Sequence, residues 1–259
     1  MRTTALRAAF AALVSSLVLA APAAAEKYVA LGDSYSSGTG TRTYYSSTCQ
    51  RSVYSYPYLL SQQRANTQLT FAACSGAKTG DVLANQVGSL TTDTKIVTIT
   101  VGGNDAGFTS VITECAKPEW ASVCDTRVNS AQSYIRNTLP GQLNNVYAQI
   151  KSRSPGARVV VLGYPRLFNG VDCNGGTYFD SDDMVMLNQT ADLLNSVTSG
   201  RAAAYGLTFK NPTTAFTGHA ICSSTEWLNG LSSPTSESYH PNRTGQSSGY
   251  LPLVRQVVG

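Results

Sequence analysis

Four short apolar runs, each followed closely by a glycine, constrain the fold of this 259-residue chain more than any other feature. All four are rich in β-branched residues. Near-continuous apolar runs of this length are typical of strands that are buried on both faces of a parallel sheet. The predicted strands cover residues 28–31, 69–72, 96–101 and 159–162, with a weaker fifth at 207–209.

Helical patterns separate the later runs. Residues 126–152 carry apolar side chains every three or four positions, and Pro140 is expected to kink or split this helix. Residues 182–205 repeat the pattern, with Asp180 or Ser181 as the N-cap and Gly206 as the stop. Strands that alternate with helices predict an α/β fold, a three-layer α/β/α sandwich around a mostly parallel sheet. In such folds the functional site lies beyond the carboxyl ends of the strands.

The first 25 residues have the parts of a secretory signal peptide. Arg2 and Arg7 give a positive start, an apolar run covers 8–21, and residues 23–25 are three alanines suited to cleavage. The apolar run is too short for a transmembrane helix. We therefore predict a signal peptide over residues 1–25 and a secreted, extracellular protein.

The remaining chain, residues 26–259, has a low and nearly balanced charge. Only 13% of all residues are charged, against roughly 25% in a typical domain. Because two of the 19 basic residues lie in the signal peptide, 17 basic and 15 acidic residues remain, a formal net charge of +2. This balance argues against a nucleic-acid partner, which requires clustered Lys and Arg.

Six cysteines, all beyond the signal peptide, indicate three disulfides in an exported chain. Spacing alone does not choose among the many pairings that six cysteines allow. We favour sequential pairing. Metal binding is the weaker alternative, because the chain has no C-x-x-C pair and only two histidines. The favoured pairs are Cys49–Cys74, Cys115–Cys124 and Cys173–Cys222.

Small and polar residues follow three of the predicted strands. Ser34 comes after the first, between Gly32 and Gly38, where a hydroxyl and free backbone N–H groups suit a nucleophile. Gly76 follows the second strand and can present its N–H to a ligand. Asn104 follows the third, and its side-chain amide can donate to an oxyanion. Taken alone, the Ser34 cluster is equally typical of an ordinary turn, and the Gly76 and Asn104 clusters are more typical of one.

A nucleophilic serine requires a base, and this chain offers only two histidines. His240 lies in a loop-like stretch near the C-terminus, before Pro241. His219 lies three residues before Cys222. A lone histidine usually has a surface or structural role, but a serine hydrolase with this sequence would have to take its base from these two.

Taken together, these residues resemble the GDSL, or SGNH, hydrolase family. The sequence Gly-Asp-Ser-Tyr at 32–35 matches the first block of the family, and Gly76 falls where the second expects its glycine. Gly-Asn-Asp at 103–105 matches the third block, and His240 falls where the last places its histidine. The four blocks occur in order and span nearly the whole mature chain, which favours a single domain over residues 26–259. The chain is most similar to secreted actinobacterial, Streptomyces-type lipases and esterases.

The resemblance implies a flavodoxin-like α/β/α fold and ester hydrolysis without a metal or other cofactor. It implies Ser34 as the nucleophile and His240 as the general base and acid. The oxyanion hole would consist of the Ser34 N–H, the Gly76 N–H and the Asn104 side chain. The implied partner is a lipid ester, with transient contact to a lipid interface, no nucleic acid, and a monomeric enzyme.

One residue departs from the family pattern. The last block usually places an aspartate three residues before the histidine, and this chain has Glu237 there. Glu237 can complete a triad in principle. Some secreted relatives instead orient the histidine through a backbone carbonyl just upstream. We favour that arrangement, with the carbonyl of Ser238 first and that of Glu237 next.

The substrate is ranked on the resemblance alone. Long- or medium-chain lipid esters come first, with triacylglycerol lipase as the leading activity, and phospholipids come second through a phospholipase A1-type reaction. An acetyl-ester esterase acting on carbohydrate is a further alternative. The non-enzymatic alternative is a secreted carbohydrate- or surface-binding module, suggested by the 14 tyrosines and the polar composition.

Overall fold

Five parallel strands form one sheet in the order β2-β1-β3-β4-β5. The computed structural model describes residues 25–259, so the predicted signal peptide lies outside the described residues except for Ala25. All five strands predicted from the sequence are confirmed. The strands are β1 (Glu26–Gly32), β2 (Thr67–Phe71), β3 (Thr94–Thr100), β4 (Arg158–Leu162) and β5 (Thr208–Lys210).

The burial of the three central strands explains why their sequences are so apolar. β1, β3 and β4 are paired on both edges, and nearly all of their side chains are buried. In the register, Val29 of β1 lies beside Val97 of β3, which in turn lies beside Val159 of β4. Strands covered on both faces have no solvent side, so β-branched residues fill both faces. The edge strands β2 and β5 are less completely buried, which explains the weaker signal of the fifth strand.

Helices cover the sheet on both sides. α2 and α8 contact each other, while α5, α6 and α7 pack together as a separate group. No helix among the described residues is both long and apolar enough to cross a membrane. The helices are α1 (Ser34–Ser37), α2 (Tyr56–Gln63), α3 (Thr79–Asp81), α4 (Phe108–Cys115), α5 (Cys124–Asn137), α6 (Leu139–Arg153), α7 (Ser181–Ala204) and α8 (Leu251–Val258).

The long helical pattern before β4 is split, as Pro140 predicted. The break falls at Thr138, and Pro140 occupies the first turn of α6. A proline is tolerated there because the first N–H groups of a helix have no intrahelical acceptor. α7 begins as predicted, since the carboxylate of Asp180 caps it by accepting from the N–H of Asp183 at 2.7 Å.

The strand order creates a crevice at one point of the sheet. From β1 the chain first crosses to β2 on one side, and it later returns to place β3 on the other side of β1. Connections after β1 and β3 therefore diverge at their carboxyl ends, which is where open α/β sheets bind ligands. Ser34 follows β1 and Asn104 follows β3, so this topology places both at the crevice.

The exit from β1 requires glycine. Gly32 has φ +117°, and a Cβ atom there would lie 2.4 Å from the carbonyl oxygen of Thr100. The side chain of Gln86 accepts from the Gly32 N–H at 2.7 Å and donates to its carbonyl oxygen at 2.9 Å. These contacts hold the residue two positions before the candidate nucleophile against the neighbouring strand.

Three disulfides are present in the structure, and they join the cysteines in sequential order. Cys49–Cys74 holds the turn that contains Gly76, because the N–H of Ser75 also donates to the carbonyl of Cys49 at 3.0 Å. Cys115–Cys124 joins the end of α4 to the start of α5. Cys173–Cys222 connects the loop before α7 to the segment after β5.

The capping of α7 gives a prediction about stability. Asp180→Ala removes the acceptor for the Asp183 N–H and is expected to lower the free energy of unfolding by about 1 kcal/mol. Asp180→Asn keeps the acceptor and removes a charge beside Asp183, so it should leave stability unchanged or slightly higher. Urea unfolding followed by circular dichroism measures both. An equal loss in the two variants would contradict a capping role.

Candidate active site

The hydroxyl of Ser34 lies at the start of α1 and faces a histidine. Ser34 Oγ is 2.8 Å from His240 Nε2, and the serine is only 6% exposed. Asp33 caps the helix by accepting from the N–H of Tyr35 at 3.0 Å. The sequence therefore places Ser34 in the first turn of a short helix, where its own N–H has no intrahelical acceptor.

A backbone carbonyl orients the histidine. His240 Nδ1 is 2.7 Å from the carbonyl oxygen of Ser238. Because a carbonyl oxygen only accepts, Nδ1 must carry the proton, and the neutral ring then has a lone pair on Nε2. That lone pair faces Ser34 Oγ, so His240 can take the proton of the serine hydroxyl.

The loop around His240 is fixed by its backbone. The N–H of Asn229 donates to the carbonyl of His240 and the N–H of Tyr239 donates to the carbonyl of Asn229, both at 2.9 Å. Tyr35, the residue after Ser34, donates its hydroxyl to the carbonyl of Tyr239 at 2.8 Å. The segment that carries the histidine is thus tied directly to the segment that carries the serine.

Glu237 is buried and has a different partner. Its side chain is 2% exposed, and its Oε1 accepts from the hydroxyl of Tyr44. Among the hydrogen bonds of residues 25–259, none joins the Glu237 carboxylate to His240, and the carbonyl of Glu237 accepts from Asn229. Of the three groups considered for orienting His240, the carbonyl of Ser238 is therefore the one in contact with its ring among the described residues.

The three candidate oxyanion donors line the same cavity as Ser34 and His240. The N–H groups of Ser34 and Gly76 have no acceptor among residues 25–259. One N–H of the Asn104 amide donates to the carbonyl of Ala77 at 3.1 Å, which ties it to the Gly76 turn. An amide has two N–H bonds, so the second remains for a ligand. This set of donors can bind a developing oxyanion.

Two acidic residues of the motif blocks have structural partners. Asp33 is buried and accepts from the hydroxyl of Tyr164, which itself accepts from the N–H of Gly103 at 3.2 Å. Burial raises the pKa of Asp33 to about 7, although the hydrogen bond from Tyr164 acts in the opposite direction. Asp105 accepts from the backbone N–H and hydroxyl of Thr79 at the start of α3. The two contacts of Tyr164 join the turn that contains Ser34 to the turn that contains Asn104, and the contacts of Asp105 join the latter turn to α3.

The second histidine is remote from this chemistry. His219 Nδ1 lies 2.8 Å from the carbonyl of Thr225, and its ring stacks on Trp227 at 3.7 Å. It does not line the cavity that contains Ser34. Of the two histidines, the structure places beside Ser34 the one that the resemblance implied, His240.

An apolar cavity of about 270 Å³ extends from the serine. Its walls are inward-facing side chains of α4, α5 and α7, which the sequence reasoning assigned only to the core or left unassigned. Their helical periodicity was visible, but periodicity does not distinguish a packed interior from the wall of a cavity. The principal apolar residues are Phe108, Val111, Ile112, Ala131, Ile135, Leu167, Leu187, Ala191 and Leu194.

Burial also changes the basicity of His240. It lowers the pKa of His240 to about 4, and the hydrogen bond to Ser238 opposes the shift without cancelling it. A neutral carbonyl stabilises an imidazolium less than a carboxylate would. His240 is therefore neutral, and able to accept a proton, well into the acidic range.

Comparison with known proteins identifies the relatives of this chain. Lipase 1 of Streptomyces coelicolor is 46% identical, with the alignment covering 93% of this chain and 95% of that protein. The crystal structure of an extracellular lipase from Streptomyces rimosus matches at 46% identity and a TM-score of 0.85, covering 90% of this chain and 100% of that one. A phospholipase A1 from Streptomyces albidoflavus matches at 45% identity, with the same TM-score and coverage.

The sheet and its flanking helices match the structures of SGNH hydrolases, so the predicted fold class is confirmed. A model of the GDSL-like lipase/acylhydrolase family matches residues 30–247. The chain belongs to the GDSL-like lipase/acylhydrolase family, as its four sequence blocks predicted.

The position of Glu237 gives a prediction about catalysis. Glu237→Gln keeps an oxygen acceptor for Tyr44, so kcat is expected to change less than about tenfold, whereas the loss of a triad carboxylate costs about 10⁴-fold. Tyr44→Phe removes the hydroxyl that donates to Glu237 and leaves the carboxylate in place, so it serves as the matched control. A loss of about 10³-fold or more in Glu237→Gln alone, with kcat preserved in Tyr44→Phe, would restore the triad.

The environment of His240 gives a prediction about pH. Its ring is expected to titrate near pH 4, below the ordinary value of about 6.5. Protonated His240 cannot accept the proton of Ser34, so activity should be lost only as pH falls through that lower value. Histidine proton NMR measures the midpoint directly, and His219→Gln identifies which of the two signals is His240. A midpoint at 6.5 or above would contradict the effect of burial.

Proposed function

We propose that this chain hydrolyses carboxylic esters of lipids through an acyl-enzyme formed on Ser34. The observation that carries the proposal is the apolar cavity of about 270 Å³ that begins at Ser34 and His240. Ligand pockets of roughly 300 Å³ and more bury most of a small molecule. A fatty acyl chain suits a cavity with apolar walls, since the chain is itself apolar and needs no polar partner.

The mechanism follows from the positions of the side chains. His240 takes the proton of Ser34 as Oγ attacks the ester carbonyl carbon. The N–H groups of Ser34 and Gly76 and the amide of Asn104 then bind the oxyanion of the tetrahedral intermediate. The alcohol leaves with the proton from His240, and the acyl group stays on Ser34. Water, deprotonated by His240, attacks the acyl carbonyl carbon; the bond to Ser34 Oγ then breaks, His240 returns the proton to Oγ, and the fatty acid is released.

Triacylglycerol is the first candidate substrate, and a phospholipid is the second. The extracellular lipase of Streptomyces rimosus and the phospholipase A1 of Streptomyces albidoflavus support the two choices almost equally, with 46% and 45% identity. An acetyl-ester activity is less well supported, because an acetyl group would leave the cavity unused. The Ser34–His240 hydrogen bond argues against a binding module without catalysis.

Secretion is part of the same proposal. Residues 1–25 would be the signal peptide, and residues 26–259 would form a single, monomeric hydrolase domain in the extracellular medium. Three disulfides support this location, because disulfides persist mainly in oxidising compartments. The Streptomyces rimosus relative is itself an extracellular protein.

An acyl-chain series tests the proposed function. Esters from acetyl to palmitoyl should show kcat/KM rising with chain length. Ala191→Phe, which fills the cavity from α7, should lower kcat/KM for the long esters by about tenfold or more while sparing acetyl esters. Ala203→Phe, on the exposed part of the same helix, is the matched control.

Two outcomes of this series would count against the proposal. Ser34→Ala must abolish hydrolysis of every ester, and residual turnover would remove Ser34 from the mechanism. A preference for acetyl esters that Ala191→Phe does not change would exclude the cavity as an acyl site. Parallel assays on triacylglycerol and phosphatidylcholine then decide between the two candidate substrates.

A further inference from the structure

An exposed tryptophan lies on a loop closed by a disulfide. The Trp120 loop, residues 116–123, joins α4 to α5, and Cys115–Cys124 closes it at its base. Trp120 is 89% exposed and Val123 is 53% exposed. Isolated exposed apolar residues are ordinary, but a tryptophan exposes an unusually large apolar area. The disulfide holds this side chain on a short, constrained segment.

The base of the Trp120 loop lies against α7. The sulfur atoms of Cys115 and Cys124 and a carboxylate oxygen of Asp183 lie within 4.8 Å of one another, so the base of the loop meets the first turn of α7. Trp120 and Val123 are here called the apolar rim.

The apolar rim lies on the loop between two of the helices that form the cavity wall. α4 supplies Val111 and Ile112 to that wall, and α5 and α7 supply further apolar side chains. Neither rim residue lines the cavity itself. The outer apolar surface and the inner acyl site are therefore built on one group of helices, next to each other in the fold.

The charges near the apolar rim restrict its partner. Asp180, Asp182 and Asp183 stand at the start of α7, beside the disulfide at the base of the loop, and Asp125 is in the first turn of α5, so four carboxylates lie at this end of the two helices. Burial and then the charges of the other three raise the pKa of Asp183 to about 6. An acidic surface is repelled by anionic lipid headgroups, which attract basic residues. An uncharged lipid surface is compatible with both the apolar side chains and the acidic neighbours.

We propose that the Trp120 loop is the surface through which this enzyme binds an uncharged lipid–water interface. Trp120 enters the headgroup region, where tryptophan combines an apolar ring with an N–H donor. Val123 extends the contact, and the cavity lies in the adjoining helices. This inference depends on the proposed action on lipid esters, because it assigns the place where the lipid aggregate is held.

Binding is tested without catalysis in the Ser34→Ala protein. Phosphatidylcholine vesicles should shift its tryptophan fluorescence to shorter wavelength and protect it from acrylamide. The chain has two tryptophans, and Trp227 is packed against His219 and Phe216, so the change should come from Trp120. Adding Trp120→Ala should abolish the shift and weaken co-sedimentation about tenfold or more.

Activity supplies a second readout. Trp120→Ala should leave kcat/KM on a soluble short-chain ester unchanged, since Trp120 does not line the cavity. It should lower the rate on emulsified triacylglycerol or phosphatidylcholine vesicles by about tenfold. Tyr45→Ala is the matched control, because Tyr45 is 55% exposed and lies near Phe71 on the edge strand β2, away from the Trp120 loop in sequence.

The outcomes separate this inference from the proposed function. An unchanged Trp120 spectrum, or an equal effect of Trp120→Ala and Tyr45→Ala, would overturn the docking surface while leaving ester hydrolysis intact. Stronger binding to phosphatidylglycerol vesicles than to phosphatidylcholine would overturn the uncharged partner. If the active enzyme hydrolysed no lipid ester, the proposed function would fail, whereas vesicle binding by the Ser34→Ala protein would still be measured independently.

Discussion

The parallel pairing of β1 with β3 is the constraint on which the rest of the structure depends. It places the carboxyl ends of two strands side by side, and their connections diverge at that point. Ser34 and Asn104 are 70 positions apart by residue number, yet both line one cavity because the strands before them, β1 and β3, are paired side by side. Gly32 permits the close approach of the end of β1 to β3, since any side chain there would clash with Thr100.

Hydrogen bonds then join the turns that follow these strands. The hydroxyl of Tyr164 donates to Asp33 before the nucleophile and accepts from Gly103 before the asparagine. Tyr35 reaches across to the carbonyl of Tyr239 beside the histidine. Groups held in this way need little reorganisation when charge develops in a reaction, which is the property that makes preorganised donors effective.

Burial determines the chemistry of the groups at the site. It raises the pKa of Asp33 and lowers that of His240, because each charged form loses hydration. The group in contact with His240 Nδ1 is the neutral carbonyl of Ser238. The ring therefore has no buried carboxylate as its partner, and no negative charge there requires a counter-charge. The carboxylate of Glu237 is used elsewhere, as the acceptor for Tyr44 in the loop that surrounds the histidine.

The sequence by itself determined the five strands, the break before Pro140 and the identity of the family, and it limited the cap of α7 to Asp180 or Ser181, because these depend on local periodicity, turn chemistry and ordered motif blocks. The resemblance implied His240 as the base and favoured the carbonyl of Ser238, but only the tertiary structure decided that this ring faces Ser34 and that the Glu237 side chain contacts Tyr44 instead. It also decided that the helices after β3 and β4 enclose a cavity. These features depend on the directions of side chains from segments far apart in the chain, and no local pattern encodes those directions.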